Sequence, residues 1–125
     1  MIAGVYNMVC EQGTSFYRSI ILKEPDPEDS TGTTYNPVAL TNHTARMQVR
    51  RTVKSTSLLA ELTTENGGIA LEADGETGLI SLSMSDVQTS ALTSDGVYDL
   101  ELIDDSGNVS RVLQGTFTLS LEVTR

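Results

Sequence analysis

Cysteine, tryptophan and histidine are nearly missing from this chain of 125 residues, which has one cysteine, no tryptophan and one histidine. The single thiol, Cys10, excludes a disulfide within the chain and a metal site built from several cysteines. Met8 and Val9 precede Cys10, so we expect this thiol to be a small buried apolar group. The chain is long enough to bury a core without disulfides or metal ions.

Basic residues are also scarce, because 8 lysines and arginines stand against 17 aspartates and glutamates, for a net charge of −9. A chain with this charge repels phosphate backbones, which argues against nucleic-acid binding. No apolar run approaches the roughly 20 residues of a membrane-spanning helix, so we expect no membrane partner. Residues 1–7 lack the charged start and the apolar run of a signal peptide, and we expect synthesis in a cytoplasm.

Residues that carry catalysis are as sparse as the cysteines. His43 lies in the turn-like sequence Asn-His-Thr, and no serine or cysteine nucleophile motif accompanies it. The acidic residues Glu24, Asp26, Glu28 and Asp29 lack the spacing of a calcium loop, and we interpret them as a solvated acidic segment. The sequence predicts a protein that is not an enzyme and has no cofactor, metal or catalytic residues.

What the sequence does contain is alternation with a period of two. Ala45, Met47 and Val49 alternate with polar residues, and similar runs recur along the chain. Asx/Gly turn signals separate these runs at 66–68, 74–75, 95–96 and 105–108. We therefore predict an all-β fold: a single antiparallel β-sandwich domain over 1–125, of the immunoglobulin-like (Ig-like) type, with a hairpin formed by 98–103 and 108–113.

Two segments depart from the strand pattern. Ser85 and Asp86 are typical helix-capping residues, so we predict one short crossover helix near 85–92. Residues 25–37 are rich in proline, aspartate, serine, threonine and glycine, and we predict a long loop there. That loop is either a contact site or a solvated insertion.

The basic residues are concentrated in one stretch. Arg46 and Arg50 are an even number of residues apart, which places them on one face of a strand, and Arg51 and Lys54 follow. The group is either a surface complementary to an acidic partner or a plain solvent face. The C-terminal run keeps strand character to its last residue, which predicts an edge strand that pairs within the fold or with another chain. The candidate interface residues are Arg46, Arg50, Arg51, Lys54, Tyr35, Leu121, Val123 and Arg125.

Several stretches together resemble a family of small bacteriophage structural-region proteins. They are 6–13, 40–50, 62–69, 98–102, 107–115 and 122–125. The layout is also similar to the Ig-like N-terminal domains of baseplate and fibre-anchoring proteins. The long loop at 25–37 is the main departure from this resemblance. The resemblance implies a virion component made in the host cytoplasm, and it transfers no catalytic residue.

The resemblance and the residues lead to competing hypotheses. The first is a non-enzymatic adaptor of the phage tail or baseplate that anchors fibres and binds other virion proteins in several symmetric copies. The second is a capsid decoration or cement protein bound to the major capsid protein. The third is a carbohydrate-binding module, for which Tyr35 is the clearest aromatic platform. This third hypothesis ranks last. The fourth is an enzyme, and the missing catalytic site argues against it.

Overall fold

Strands with alternating burial build the two main β-sheets in the described part of this protein. The computed structural model describes residues 3–72 and 77–124. In chain order, the elements are β1 (Gly4–Val5), β2 (Met8–Glu11), β3 (Phe16–Ile21), β4 (Lys23–Pro25), β5 (Tyr35–Pro37), β6 (Thr44–Arg50), β7 (Ala60–Thr63), β8 (Ile69–Leu71), β9 (Leu79–Met84), α1 (Asp86–Ser90), β10 (Gly96–Ile103) and β11 (Val109–Ser120). The predicted all-β fold with one short helix is confirmed.

The larger sheet has the strand order β11-β10-β6-β7, with β1 and β2 following one another along the outer side of β11. The smaller sheet has the order β3-β9-β8. In an Ig-type sandwich, β3, β9 and β8 take the places of strands B, E and D, and β6, β7, β10 and β11 those of C, C′, F and G. The predicted hairpin is the β10–β11 pair. Pairing is antiparallel except that β1 and β2 run parallel to β11.

Inward side chains of both sheets form the core. Leu100 and Phe117 come from the larger sheet and Ile80 and Leu82 from the smaller, all of them fully or almost fully buried. The rings of Phe16 and Phe117 join the sheets, with centroids 5.9 Å apart. Other members of the core include Met8, Met47, Val49, Leu62 and Cys10. The predicted burial of the Cys10 thiol is therefore confirmed.

The N-terminal strand is interrupted between β1 and β2 without a change of register. The side-chain oxygen of Asn7 accepts a hydrogen bond from the Thr116 N–H at 3.0 Å and so replaces a backbone acceptor. The carbonyl of Tyr6 instead accepts a hydrogen bond from the buried Tyr98 hydroxyl. A Cβ atom at Gly115 would lie 2.4 Å from that carbonyl oxygen, so the arrangement requires glycine there.

Helix α1 carries the chain from one sheet to the other and is capped as its sequence predicts. Ser85 and Gln88 form a capping box. The buried Thr89 hydroxyl accepts a hydrogen bond from the Gly13 N–H at 3.0 Å and donates one to the Thr14 carbonyl at 2.8 Å. This hydroxyl therefore ties the helix to the turn between β2 and β3.

Residues 25–37, predicted as a loop, begin and end in paired strands. Strands β4 and β5 pair with each other, and every residue in them is exposed. At the base, Leu22 donates a hydrogen bond to the Gly78 carbonyl, and its own carbonyl accepts one from Val38. At the tip, Asp29 accepts hydrogen bonds from the backbone N–H groups of Thr31 and Thr34, both at 2.9 Å. Residues 23–37 thus form a structured hairpin, which we call the arm.

Arg18 covers the open side of the sandwich between β3 and β2. Its guanidinium carbon lies 4.7 Å from the centre of the Phe16 ring. The same group donates hydrogen bonds to the carbonyls of Val9 on β2 and Tyr17 on β3. A charged side chain that occupies two neighbouring strand edges hinders pairing with a further strand.

The C-terminal prediction is wrong in part. Strand β11 ends at Ser120, and residues 121–124 are not in a strand. On its outer side β11 pairs with β2, and the last pair joins Ser120 to Glu11. Strand β11 leaves the sheet at this point, where β2 ends. Arg125 and the predicted turn at 74–75 lie outside the described residues.

The sandwich has two distinct ends. Gly96, at the start of β10, lies beside Arg50, and α1 crosses between the sheets there, which we call the helix end. At the opposite end of β10, Ile103 pairs with Thr44. The arm leaves the smaller sheet at this second end, which we call the arm end. The eight residues of β10 separate the two ends by about 25 Å.

Candidate functional site

The outer face of the larger sheet forms a concavity with a volume of about 860 Å³. Strands β11, β10, β6 and β7 form its floor. The charged and amide side chains that line it are Asn7, Arg46, Gln48, Arg50, Glu61, Asp99, Glu101, Arg111 and Gln114.

Strand alternation explains why these polar side chains converge. Ala45, Met47 and Val49 of β6 point into the core, so Arg46, Gln48 and Arg50 point outward, as their spacing predicts. In β10 the buried residues are Tyr98, Leu100 and Leu102, which leaves Asp99 and Glu101 on the outer side. The register then sets Glu101 between Arg46 and Arg111.

Two ion pairs link the strands on this face. The Nε atom of Arg46 lies 2.8 Å from Oε1 of Glu101, and Nε of Arg111 lies 3.6 Å from Oδ2 of Asp99. The four side chains retain 27–54% of their exposure. Pairs at such exposure contribute about 0–1 kcal/mol to stability, so they do more to set the charge pattern than to hold the fold together.

A chain of hydrogen bonds continues toward the helix end. Gln48 donates to Oε2 of Glu61 at 2.6 Å and accepts from Arg50 at 2.8 Å. Arg50 also donates to the Ser55 carbonyl at 3.1 Å, in the turn that follows β6. These contacts orient the outward side chains of β6 from one end of the strand to the other.

The resulting surface is balanced in charge. Among its described lining residues, three arginines (Arg46, Arg50, Arg111) stand against three carboxylates (Glu61, Asp99, Glu101). We call these six residues and Gln48 the balanced face. It is electrically neutral on a chain whose net charge is −9. Exposed apolar side chains lie at its border, with Val5 at 72% and Val53 at 86% exposure.

The structure separates the predicted basic group. Arg46 and Arg50 belong to the balanced face and have partners within the chain. Arg51 and Lys54 are exposed in the turn after β6 and form no hydrogen bond or ion pair with the described residues. Within the predicted basic group, the positive charge that lacks a described partner is therefore confined to that turn.

The other predicted interface residues lie elsewhere. Tyr35 is on the arm and is 54% exposed. Leu121 and Val123 follow β11 at the helix end and are 72% and 90% exposed. None of the three lines the concavity.

Sequence reasoning missed the acidic half of the face, namely Glu61, Asp99 and Glu101. A signal for two of them was present, because Asp99 and Glu101 alternate with apolar residues in a recognised strand. Placing them beside Arg46 needed the pairing of β10 with β6, which turn signals do not supply.

Other polar groups form local turn structure. Asp29 in the arm has a pKa below its usual value, because the hydroxyl and N–H groups of Thr31 and Thr34 donate to its carboxylate. Hydrogen bonds from the backbone of Asn108 and Ser106 likewise lower the pKa of Asp104. His43 Nδ1 lies 2.9 Å from the Thr41 carbonyl oxygen. Within 3–72 and 77–124, no group of three histidine, cysteine or acidic side chains is placed to hold a metal ion.

No helix in the described ranges is both long and apolar enough to cross a membrane. The chain matches no family model, and no curated protein matches it.

Proposed function

We propose that this chain is a non-enzymatic structural protein of a bacteriophage particle, an adaptor of the tail or baseplate that binds other virion proteins and takes part in fibre anchoring. The balanced face carries the adaptor part of this proposal. The resemblance of the sequence to small phage structural-region proteins supports the assignment to a virion.

The balanced face has the chemistry of a specific but weak protein-binding surface. Its alternating arginines and carboxylates favour a partner with the complementary pattern and disfavour partners that present like charges. The exposed side chain of Val5 at its border offers apolar area to bury. Weak contacts suffice in a particle, because several copies bind at once.

The carbohydrate-binding alternative has less support. Sugar sites on β-sandwiches need exposed aromatic rings for stacking, and Tyr98, the aromatic residue among the described lining of the concavity, is 4% exposed. Tyr35 is exposed but lies on the arm, away from this face.

The first experiment is mass spectrometry of purified particles, followed by cryo-electron microscopy to locate the chain. The proposal expects density at the tail or baseplate, with the balanced face against a neighbour. Density distributed over the head would favour a capsid decoration protein. Absence from the particle would overturn the virion assignment.

A pair of variants tests the face itself. Asp99→Asn with Glu101→Gln keeps the shapes of the side chains but removes two negative charges from the centre of the face. We expect particles to incorporate this variant at least about tenfold less than the unmodified chain, which corresponds to roughly 1.4 kcal/mol. Ser19→Lys with Ser83→Lys makes the same change in net charge on the outer side of the smaller sheet and serves as the control. Equal incorporation of both variants would show that the face is not the docking surface.

A further inference from the structure

We propose that copies of this chain associate head to tail, with the arm of one copy bound to the turn after β6 of the next. We call residues 50–58 the basic corner. The partner inferred here is a second copy of the chain. This contact goes beyond the proposed function, because it joins copies of the purified chain and needs no other virion protein.

The basic corner presents positive charge around an exposed apolar side chain. The hydroxyl groups of Thr52 and Ser55 lie 2.9 Å apart, and Arg50 donates to the Ser55 carbonyl, so the turn is held in one shape. That shape leaves Val53 86% exposed at the tip, between Arg51 and Lys54. Residues 50–58 contain no acidic residue.

The arm has the opposite character. It carries Glu24, Asp26, Glu28 and Asp29 against one lysine, a net charge of −3. Its aromatic residue, Tyr35, is 54% exposed and lies opposite Pro25 in the β4–β5 pair. An exposed aromatic ring beside carboxylates complements an exposed valine beside cations, since the ring covers the valine and also attracts the guanidinium of Arg51.

The two surfaces cannot meet within one chain. The arm begins at the arm end of the sandwich and the basic corner is at the helix end, about 25 Å away along β10. The arm is also not folded back along the sandwich, because every residue of β4 and β5 is exposed. Each copy therefore offers both halves of the contact, and neither half is satisfied by its own chain.

A contact between two different surfaces of identical chains is heterologous, and it builds rings when the rotation closes and filaments when it does not. The contact area is small, so we expect a dissociation constant of about 0.1–1 mM for a single junction. The contact should be salt-sensitive, because it pairs the cations of the basic corner with the carboxylates of the arm at an exposed surface.

The test is sedimentation of the purified chain over a range of concentrations. At about 0.01 M salt, where charges act over about 30 Å, the average mass should rise above the 13.5 kDa of one chain as the concentration approaches 1 mM. At about 1 M salt it should return to the monomer value. A monomer at every concentration in low salt would overturn the proposal.

Charge reversals identify the two halves. The corner variant, Arg51→Glu with Lys54→Glu, and the arm variant, Glu24→Lys with Glu28→Lys, should each be monomeric. The arm variant spares Asp26 and Asp29, which hold the tip. The control, Glu65→Lys with Asp105→Lys, makes the same change in net charge as the arm variant. Its two substitutions lie at the arm end but outside the arm, so this protein should still associate.

A mixture of the two monomeric variants gives the sharpest result. The corner variant keeps an intact arm and the arm variant keeps an intact corner, so the mixture should associate at concentrations where neither variant associates alone. A mixture that stays monomeric, or association that survives either charge reversal alone, would overturn the head-to-tail contact. Neither result bears on incorporation into particles, so this inference and the adaptor proposal fail independently.

Discussion

The Tyr98 hydroxyl donates a hydrogen bond to the backbone carbonyl of Tyr6, and this bond joins β10 to the N-terminal strand across β11, which lies between them. It forms at the position where β1 gives way to β2 and where Gly115 leaves room for the Tyr6 carbonyl. A single side chain thus holds the interruption between β1 and β2 in the outermost strand of the larger sheet.

Removing this bond should loosen the N-terminal strand. Tyr98→Phe should lower the free energy of unfolding by about 1–2 kcal/mol, because the Tyr6 carbonyl loses its partner. Gly115→Ala should cost about 1–3 kcal/mol, because the new Cβ meets the same carbonyl. Urea unfolding measures both. Tyr35→Phe removes an exposed hydroxyl and is the control. An unchanged stability of Tyr98→Phe would contradict the role given to this bond.

Stability should fall at alkaline pH in two steps. Burial raises the pKa of the Cys10 thiol above its usual 9.0 and that of the Tyr98 hydroxyl above its usual 10.0. Unfolded chains therefore release these protons first, and the free energy of unfolding declines as pH rises above each usual value. Urea titrations from pH 7 to about pH 11 measure the decline. Cys10→Ala should flatten it above pH 9 and Tyr98→Phe above pH 10. If the unmodified protein and both variants lost stability in parallel as the pH rose, neither Cys10 nor Tyr98 would be the cause of the decline.

The buried Thr89 hydroxyl offers a test of how α1 is held. Thr89→Val keeps the shape but leaves the Gly13 N–H and the Thr14 carbonyl without a partner, so we expect a loss of about 2–3 kcal/mol. Thr89→Ser keeps the hydroxyl and loses one methyl group, at a cost of about 1 kcal/mol. Thermal unfolding should rank the serine variant above the valine variant, and the reverse order would show that packing dominates at this site.

Arg18 should protect the protein against aggregation. Arg18→Met removes the donor that occupies the carbonyls of Val9 and Tyr17, which exposes two neighbouring strand edges. We expect the variant to aggregate faster at high salt, measured by light scattering and thioflavin fluorescence. Arg111→Met loses the same charge on the balanced face and is the control. Equal aggregation of the two variants would argue that charge, not edge protection, matters.

Local sequence patterns were enough to predict much of the fold. Alternation identified β6 and β10, the Asp105–Asn108 turn joined β10 to β11, and Ser85 marked the start of α1. Each of these signals acts over fewer than about fifteen residues, which is the range where strand period and capping chemistry operate. They also placed Arg46 and Arg50 on one face.

Features set by distant contacts were not predictable in this way. The end of β11 at Ser120 depends on β2, and the ion pair of Arg46 with Glu101 depends on the order of strands in the sheet. The proline, aspartate, serine, threonine and glycine content of 25–37 predicts a loop, because such residues favour turns and Pro25 and Pro37 usually interrupt strands. Both prolines lie in strands of a two-stranded sheet, where prolines are tolerated at unpaired edges.

The parallel pairing of β2 with β11 has a consequence for how the chain folds. Partners on these strands are 109 residues apart in sequence, as the pairing of Met8 with Phe117 shows. During synthesis, residues 4–11 leave the ribosome long before their partner strand exists, and the loop they must close is nearly the whole chain. We therefore expect the larger sheet to gain its outermost strand last, because closing so long a loop costs more entropy than the local hairpin pairings do.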